Sequence, residues 1–200
     1  MLDIKVLPHS HGFASNTYLL TAGDECAVID PSAPYNKDLV CGKVKYILLT
    51  HAHFDHMLDI DEWVEKTGAE VLVSRNDIDA LADSVRNCYL LLTRTDKGYY
   101  GKATPIDEST DITLDGEKIR VIPTPGHTPG SVSYLVCDSL FVGDTIFAGG
   151  GFGKCSFPGG DFSEIRKSIY KLMEFDENIV VYPGHGDATT VKEYKKDFLR

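Results

Sequence analysis

Four side chains of metal-ligating type lie within six residues of one another. They are His51, His53, Asp55 and His56. They follow the apolar run Tyr46–Leu49 and precede a helical pattern, which places them at a strand-to-helix turn. Residues i and i+2 of an extended segment point the same way, so His51 and His53 present two imidazoles to one point. Asp55 and His56 diverge once the backbone turns and address a second point. Two metal ions about 3.5–4 Å apart fit this spacing; imidazole with carboxylate suits Zn and also admits Fe or Mn.

Two complete metal sites need more than four ligands, and three further candidates each lie in a glycine-rich turn after an apolar run. They are His127, Asp144 and His185. Glycine beside each lets the chain turn sharply at the end of a strand. Alone, each would be interpreted as a turn or capping residue. Five of the seven histidines lie in these contexts, however, and this concentration favours metal binding.

The order of these motifs resembles that of the metallo-β-lactamase-fold hydrolases. His-x-His-x-Asp-His at 51–56 is followed by Gly-His-Thr-Pro-Gly-Ser at 126–131, Gly-Asp-Thr-Ile-Phe at 143–147 and Gly-His-Gly at 184–186. The pattern is most similar to the hydroxyacylglutathione hydrolase (glyoxalase II) branch, from about Asn16 to the end of the chain. The resemblance implies two divalent metal ions, most simply Zn, with Fe or Mn as alternatives. One would be bound by His51, His53 and His127, the other by Asp55, His56 and His185, with Asp144 bridging them.

The resemblance also implies a hydrolytic mechanism. A water held between two cations loses its proton near neutral pH. This metal-bridging hydroxide would attack an ester or thioester, and Asp55 would both bind metal and orient the hydroxide. Dinuclear β-lactamases carry Cys where Asp144 stands, which disfavours lactam hydrolysis. The expected substrate is a small molecule, a thioester of the hydroxyacylglutathione type.

The loop Gly149–Cys155 resembles the Gly-x-Gly-Lys segment that helps to hold the glycine carboxylate of glutathione in glyoxalase II. Lys154 is therefore a candidate substrate-binding residue, because an ammonium beside a glycine-rich backbone suits an anion; the alternative is a solvated surface lysine. Only fifteen residues follow His185. The chain thus resembles a compact form without the C-terminal helical domain of glyoxalase II, and its glutathione contacts would be incomplete.

Two other functions remain open. A persulfide dioxygenase of this family uses a single iron, which His53, His127 and Asp144 would hold here, but the complete second ligand set argues against it. A non-catalytic metal-binding module is the other, and the intact ligands in every motif disfavour it.

Two features near the N-terminus allow a functional and a structural interpretation. In the family the Asp at position 30 lies beneath the metal ligands, so Asp30 is a candidate partner of a ligand histidine. Alternatively, it initiates a turn before Pro31. His9 and His11 form another His-x-His but lack a following Asp-His, so we expect them in a loop.

Alternating strand and helix patterns predict an α/β fold with hairpins. The resemblance implies an αββα sandwich, the metallo-β-lactamase fold, in which two mixed β-sheets pack face to face with helices on the outer faces. Helices are predicted at Asn36–Gly42, from Asp55 to Thr67, at Asp161–Phe175 and from Thr189, and Asn76–Thr93 has helical spacing. The region Asn76–Thr104 could cover the mouth of the site, form a subunit contact or be an ordinary surface loop.

Length and composition predict one soluble domain spanning residues 1–200. The formal charge of −10 disfavours binding along nucleic-acid phosphates. No run approaches the ~18–20 apolar residues of a membrane span, and the N-terminus has the pattern of a strand and not of a signal peptide. Five cysteines without Cys-x-x-Cys spacing indicate a reducing cytoplasm. The oligomeric state is not specified by these features.

Overall fold

The computed structural model describes residues 2–9 and 12–200, and two six-stranded β-sheets dominate this part of the chain. The strands of the first sheet are Leu2–Leu7 (β1), Thr17–Ala22 (β2), Glu25–Ile29 (β3), Lys43–Leu48 (β4), Glu70–Ser74 (β5) and Thr104–Ile106 (β6). Their spatial order is their sequence order. Strands β1 to β3 pair antiparallel and β3 to β6 pair parallel, so the sheet is mixed.

The second sheet is built by the C-terminal half. Its strands are Ile112–Leu114 (β7), Glu117–Pro123 (β8), Val132–Val136 (β9), Ser139–Gly143 (β10), Val180–Pro183 (β13) and Thr189–Thr190 (β14). The order is β14-β13-β10-β9-β8-β7, with β10 and β13 parallel and the other pairs antiparallel. Ile146–Phe147 (β11) and Gly151–Phe152 (β12) form a small separate ribbon.

Apolar side chains of the strands alternate between two layers. Leu20, Ile29 and Leu48 point inwards and pack between the sheets with Tyr134 and Phe141 of the second sheet. Their neighbours on the same strands point outwards, because successive side chains of a strand face opposite sides. Strands that are buried on both faces have sequences that are nearly continuous apolar runs.

Helices cover both outer faces. They are Ile60–Thr67 (α1), Tyr89–Thr93 (α2), Phe162–Met173 (α3) and Val191–Phe198 (α4). Trp63 of α1 packs on the first sheet, and Ile169 of α3 and Tyr194 of α4 pack on the second. The predicted αββα sandwich is confirmed.

The ends of three helices follow local sequence signals. Helix α1 stops at Gly68, whose φ of 63° favours glycine. Asp161 caps α3 by accepting hydrogen bonds from the backbone N–H groups of Ser163 and Glu164, and Thr190 caps α4. Within the described residues, no helix combines the length and the apolar character needed to span a bilayer.

Two helix predictions are wrong. Residues 36–42 contain a single turn at 37–39 and no helix, and the side chain of Asn36 accepts a hydrogen bond from the N–H of Asp38. The stretch Asn76–Thr93 contains only a single 3₁₀ turn, Ile78–Ala80, and the short helix α2. His9 lies in an exposed loop, as predicted; His11 lies outside the described residues.

Candidate metal centre

The seven predicted ligands all follow the carboxyl ends of strands. His51 and His53 lie just beyond β4, and Asp55 and His56 lie in a 3₁₀ turn that follows at once. His127 follows β8, Asp144 follows β10 and His185 follows β13. The structure brings these side chains together at one edge of the two sheets. They form two groups of three, His51, His53 and His127 and Asp55, His56 and His185, within each of which the ligand atoms lie within 4.8 Å of one another, and Asp144 lies equally close to His51 and His56.

The first group consists of three buried imidazoles, those of His51, His53 and His127. Nδ1 of His53 lies 3.2 Å from Nε2 of His51 and 2.8 Å from Nε2 of His127. Nitrogen ligands at tetrahedral angles around a zinc ion, with Zn–N bonds of 2.0–2.1 Å, are about 3.3 Å apart. The three nitrogens therefore already converge as ligands of one cation would.

The second group consists of Asp55, His56 and His185. Nε2 of His185 lies 3.2 Å from Oδ2 of Asp55. Side-chain exposure is 38% for His185 and 21% for Asp55, whereas His56 is fully buried. This group therefore has one enclosed end and one end open to solvent.

Asp144 lies between the two groups. Its Oδ1 is 3.3 Å from Nε2 of His56, and its Oδ2 is 3.5 Å from Nε2 of His127 and 3.7 Å from Nε2 of His185. Its carboxylate contacts ligand candidates of both groups, which is the position that a bridging ligand requires.

Unpaired polar atoms test whether these residues fit metal ions. Nε2 of His56 and Oδ1 of Asp144 are buried and lie 3.3 Å apart, but neither atom makes a hydrogen bond of acceptable geometry among the described residues. Buried polar atoms normally find partners, and a cation would satisfy both. Imidazole and carboxylate are also the donors that divalent zinc, iron and manganese accept. The residues present fit a pair of such ions.

Hydrogen bonds to the remaining ring nitrogens fix the orientation of the ligands. Nδ1–H of His127 donates to the carbonyl of Lys154 at 2.8 Å, which leaves Nε2 with its lone pair facing the site. Nδ1–H of His56 donates to Oδ2 of Asp30 at 2.8 Å, and the same oxygen accepts from the hydroxyl of Thr50 at 2.7 Å. The Thr50 oxygen lies 3.1 Å from Nδ1 of His51. Asp30 thus lies beneath the ligands, contacting His56 directly and His51 through Thr50.

The protonation behaviour differs between the histidines. Burial lowers the pKa of His51 and His127 and brings the pKa of His53 to about 3, so these rings are neutral, the form that binds a metal. Burial acts in the same direction on His56, but the carboxylates of Asp30 and Asp144 outweigh it and raise its pKa well above the ordinary value. Burial would raise the pKa of Asp144, but the surrounding histidines, His56 first, lower it.

The backbone at Gly184 lies unusually close to the side chains of Asp144 and His56. A Cβ atom at Gly184 would lie 2.3 Å from Oδ1 of Asp144 and 2.6 Å from Cε1 of His56. Any larger residue would fill the space between these side chains. The glycine before His185 is therefore part of the site.

Lys154 lies at the rim of the first group. Its side chain is exposed, and its Nζ is 5.1 Å from the centre of the Phe157 ring. That ring packs edge-on against the His53 ring with centroids 5.5 Å apart. The Lys154 ammonium thus lies against the aromatic ring that packs on one of the candidate metal ligands.

Sequence reasoning missed two residues of the centre, Phe157 and Asp77. Phe157 covers the imidazoles of His53 and His127, and Asp77 is a buried carboxylate close to the ligand loops. Neither belongs to a recognisable motif. The only signal for Asp77 is its place after a strand, which equally predicts a cap of the next helix.

Comparisons with known proteins show which proteins this chain is similar to. The family profile described as "Metallo-beta-lactamase superfamily" matches residues 12–185. The chain is 37% identical over 191 residues to "Probable metallo-hydrolase YqgX" of Bacillus subtilis, covering 88% of this chain and 87% of that protein. It is 27% identical over 208 residues to "Hydroxyacylglutathione hydrolase GloC" of Haemophilus influenzae, covering 98% and 96%.

A solved structure is similar over nearly the whole length. The crystal structure of the BLEG-1 B3 metallo-beta-lactamase superposes with a TM-score of 0.87 at 28% identity, covering 98% of this chain and 97% of that one. Its similarity thus extends through both sheets and all of the ligand loops.

Proposed function

Because this chain belongs to the metallo-beta-lactamase superfamily, we propose that it is a metal-dependent hydrolase with two divalent cations that cleaves thioesters of the hydroxyacylglutathione type. The observation that carries the proposal is the position of Asp144 between two ligand groups, within 3.3–3.7 Å of His56, His127 and His185. A mononuclear centre would need only one of these groups.

Each metal-ligating residue has a role in this proposal. His51, His53 and His127 hold one cation, Asp55, His56 and His185 hold the other, and Asp144 bridges them. When bound, the pair would polarise the scissile carbonyl and lower the pKa of water, most simply as zinc and alternatively as iron or manganese. No serine or cysteine nucleophile is then required.

Asp55 is the proposed catalytic residue. Its carboxylate lies at the open end of the centre, 3.2 Å from His185. Burial would raise its pKa, but the hydrogen bond to His185 and the nearby His56 lower it. The carboxylate is therefore ionised at neutral pH, so it can bind a metal ion and orient the attacking hydroxide by accepting a hydrogen bond from it.

Lys154 is the proposed substrate-binding residue. Its exposed ammonium beside Phe157 suits a carboxylate on the thiol portion of the substrate. The similarity to a protein named hydroxyacylglutathione hydrolase, over 98% of this chain, supports this substrate class.

A metal analysis combined with a substrate panel tests the proposal. We expect close to two metal ions per chain and turnover of S-lactoylglutathione, with slower turnover of nitrocefin. If nitrocefin were hydrolysed faster than the thioester, the preferred substrate would be a β-lactam, as the name of the structural relative indicates. Full metal loading without hydrolysis of any thioester, ester or lactam would indicate a binding module.

A persulfide dioxygenase is the second candidate. Its three ligands would be His53, His127 and Asp144, and these also lie together here, with Nε2 of His127 2.8 Å from His53 and 3.5 Å from Asp144. One iron per chain, with oxygen consumption on glutathione persulfide and no thioester hydrolysis, would select this function.

A further inference from the structure

A second buried carboxylate, separate from Asp30, lies behind the three-histidine group. Asp77 follows β5 and is 1% exposed. An unpaired carboxylate at such a position would strongly destabilise the fold. The hydrogen bonds that Asp77 accepts therefore indicate its structural role.

Three donors from two different loops converge on Asp77. Its Oδ2 accepts from the backbone N–H of Ala52 at 3.1 Å and from the hydroxyl of Thr128 at 2.7 Å. Its Oδ1 accepts from the backbone N–H of Gly130 at 2.8 Å. A Cβ atom at Gly130 would lie 2.5 Å from Oδ1, so the second loop approaches the carboxylate as closely as its backbone allows.

The positions of these donors connect Asp77 to the candidate ligands. Ala52 lies between His51 and His53, and Thr128 directly follows His127. The first loop extends from β4 of the first sheet, and the second joins β8 to β9 of the second sheet. Asp77 thus ties together the two loops, one from each sheet, that carry the three imidazoles.

We propose that Asp77 is a positioning residue that sets the separation of the His51–His53 pair from His127 and so pre-organises the first metal site. It contacts no candidate ligand side chain directly and acts through the backbone of the loops. The inference rests on the proposed function only in that these three histidines bind a cation.

A carboxyl group satisfies all three partners because it offers an acceptor oxygen to each of the two backbone N–H groups and also to the Thr128 hydroxyl. Asparagine of the same shape cannot replace it. Whichever way its amide is turned, the NH₂ group faces a backbone N–H, either that of Ala52 or that of Gly130. Burial raises the pKa of Asp77 above its ordinary value, and the hydrogen bonds from Thr128, Ala52 and Gly130 offset this only in part.

Metal affinity tests the proposal without measuring catalysis. We would titrate the chelator-treated protein with Zn²⁺ against a chromophoric chelator and compare wild type with Asp77→Asn. Loss of an outer hydrogen-bonding partner typically weakens metal binding by about 10–100-fold, and we expect this loss for the first equivalent of zinc. Unchanged affinity for that equivalent would overturn the proposal.

Two variants of Thr128 provide a milder test should Asp77→Asn fail to fold. Thr128→Val removes one hydrogen-bond donor to Asp77 and should weaken binding of the first zinc equivalent. Thr128→Ser retains the hydroxyl and should bind that equivalent as tightly as wild type. Equal affinity of the valine and serine variants would contradict the proposal. Arg86→Ala is the matched control. Arg86 lines a cavity of about 100 Å³ that Asp77 and Thr128 also line, and it acts on Asp77 through its charge and not as one of the three hydrogen-bond donors, so we expect near-normal affinity.

The outcome separates this inference from the proposed function. Wild-type protein that binds two zinc ions but hydrolyses no thioester would overturn the function and leave the role of Asp77 to be decided by the affinities. Normal zinc affinity of Asp77→Asn in a protein that hydrolyses thioesters would overturn the role of Asp77 alone.

Discussion

The two ligand groups of the centre differ in enclosure. The first group contains three neutral imidazoles, those of His51, His53 and His127, which are 1–3% exposed. Nδ1 of the central ring, His53, lies 3.2 Å from Nε2 of His51 and 2.8 Å from Nε2 of His127. The other group joins the fully buried His56 to Asp55 and His185, which reach solvent. Enclosure restricts the exchange of a ligand, and exposure admits water and substrate. The first group is thus suited to hold a cation tightly, and the second to meet the substrate.

The largest effect should follow from opening the enclosed group. We expect His53→Ala to lower kcat/KM for the thioester by about 10³-fold or more, since a bound cation contributes several kcal/mol to transition-state stabilisation. His185→Ala, at the open end, should cost less and be partly restored by excess Zn²⁺. Steady-state kinetics over a range of zinc concentrations checks both. A larger loss of kcat/KM in His185→Ala than in His53→Ala would show that activity depends more on the open group than on the enclosed one.

An intermediate effect should follow from Asp30→Asn. The native residue has a φ of 51°, which asparagine tolerates, so the backbone should be retained. The NH₂ group of the new amide would face either the backbone N–H of Thr50 or the Nδ1–H of His56, and two donors that face each other form no hydrogen bond. Because Asp30 supports His56 directly and His51 through Thr50, we expect both zinc equivalents to bind about 10-fold more weakly.

Zinc competition on Asp30→Asn and Asp77→Asn side by side sharpens the comparison. Asp77→Asn should affect only the first equivalent. Identical affinity profiles for the two variants would show that the groups are not supported independently.

The smallest effect should follow from Lys154→Ala. Loss of one exposed ion pair with the substrate should raise KM by about 3–10-fold and leave kcat nearly unchanged, because removing an interaction made equally in the ground state and the transition state affects only binding. Lys154→Arg should preserve KM. Equal losses of kcat in Lys154→Ala and His53→Ala would show that the lysine is not simply a binding residue.

The candidate ligands and the strands were predictable because their determinants are local, whereas the sandwich was predicted only from the resemblance to a known family. Each ligand directly follows an apolar strand, and the i, i+2 spacing of His51 and His53 already aims two rings at one point. The strands of the sheets and the ends of α1 and α3 likewise depend on neighbouring residues such as Gly68 and Asp161.

The stretch Asn76–Thr93 was not predictable for the opposite reason. Its polar side chains bond to distant backbone and side-chain groups. Asp77 reaches Ala52 and Thr128, and the side chain of Asn87 donates to the carbonyls of Leu81 and Lys97. These long-range bonds replace a continuous helix that the apolar spacing alone favours. The role of Asp77 appears only when both sheets are in place.

The hydrogen bond between His127 and Lys154 divides one residue between two tasks. The main-chain oxygen of Lys154 orients the imidazole, while its side chain faces outwards. Replacement of that side chain therefore leaves the oxygen in place, so the exposed side chain at position 154 can vary without loss of the hydrogen bond that orients His127. A deletion within the loop would disrupt both at once.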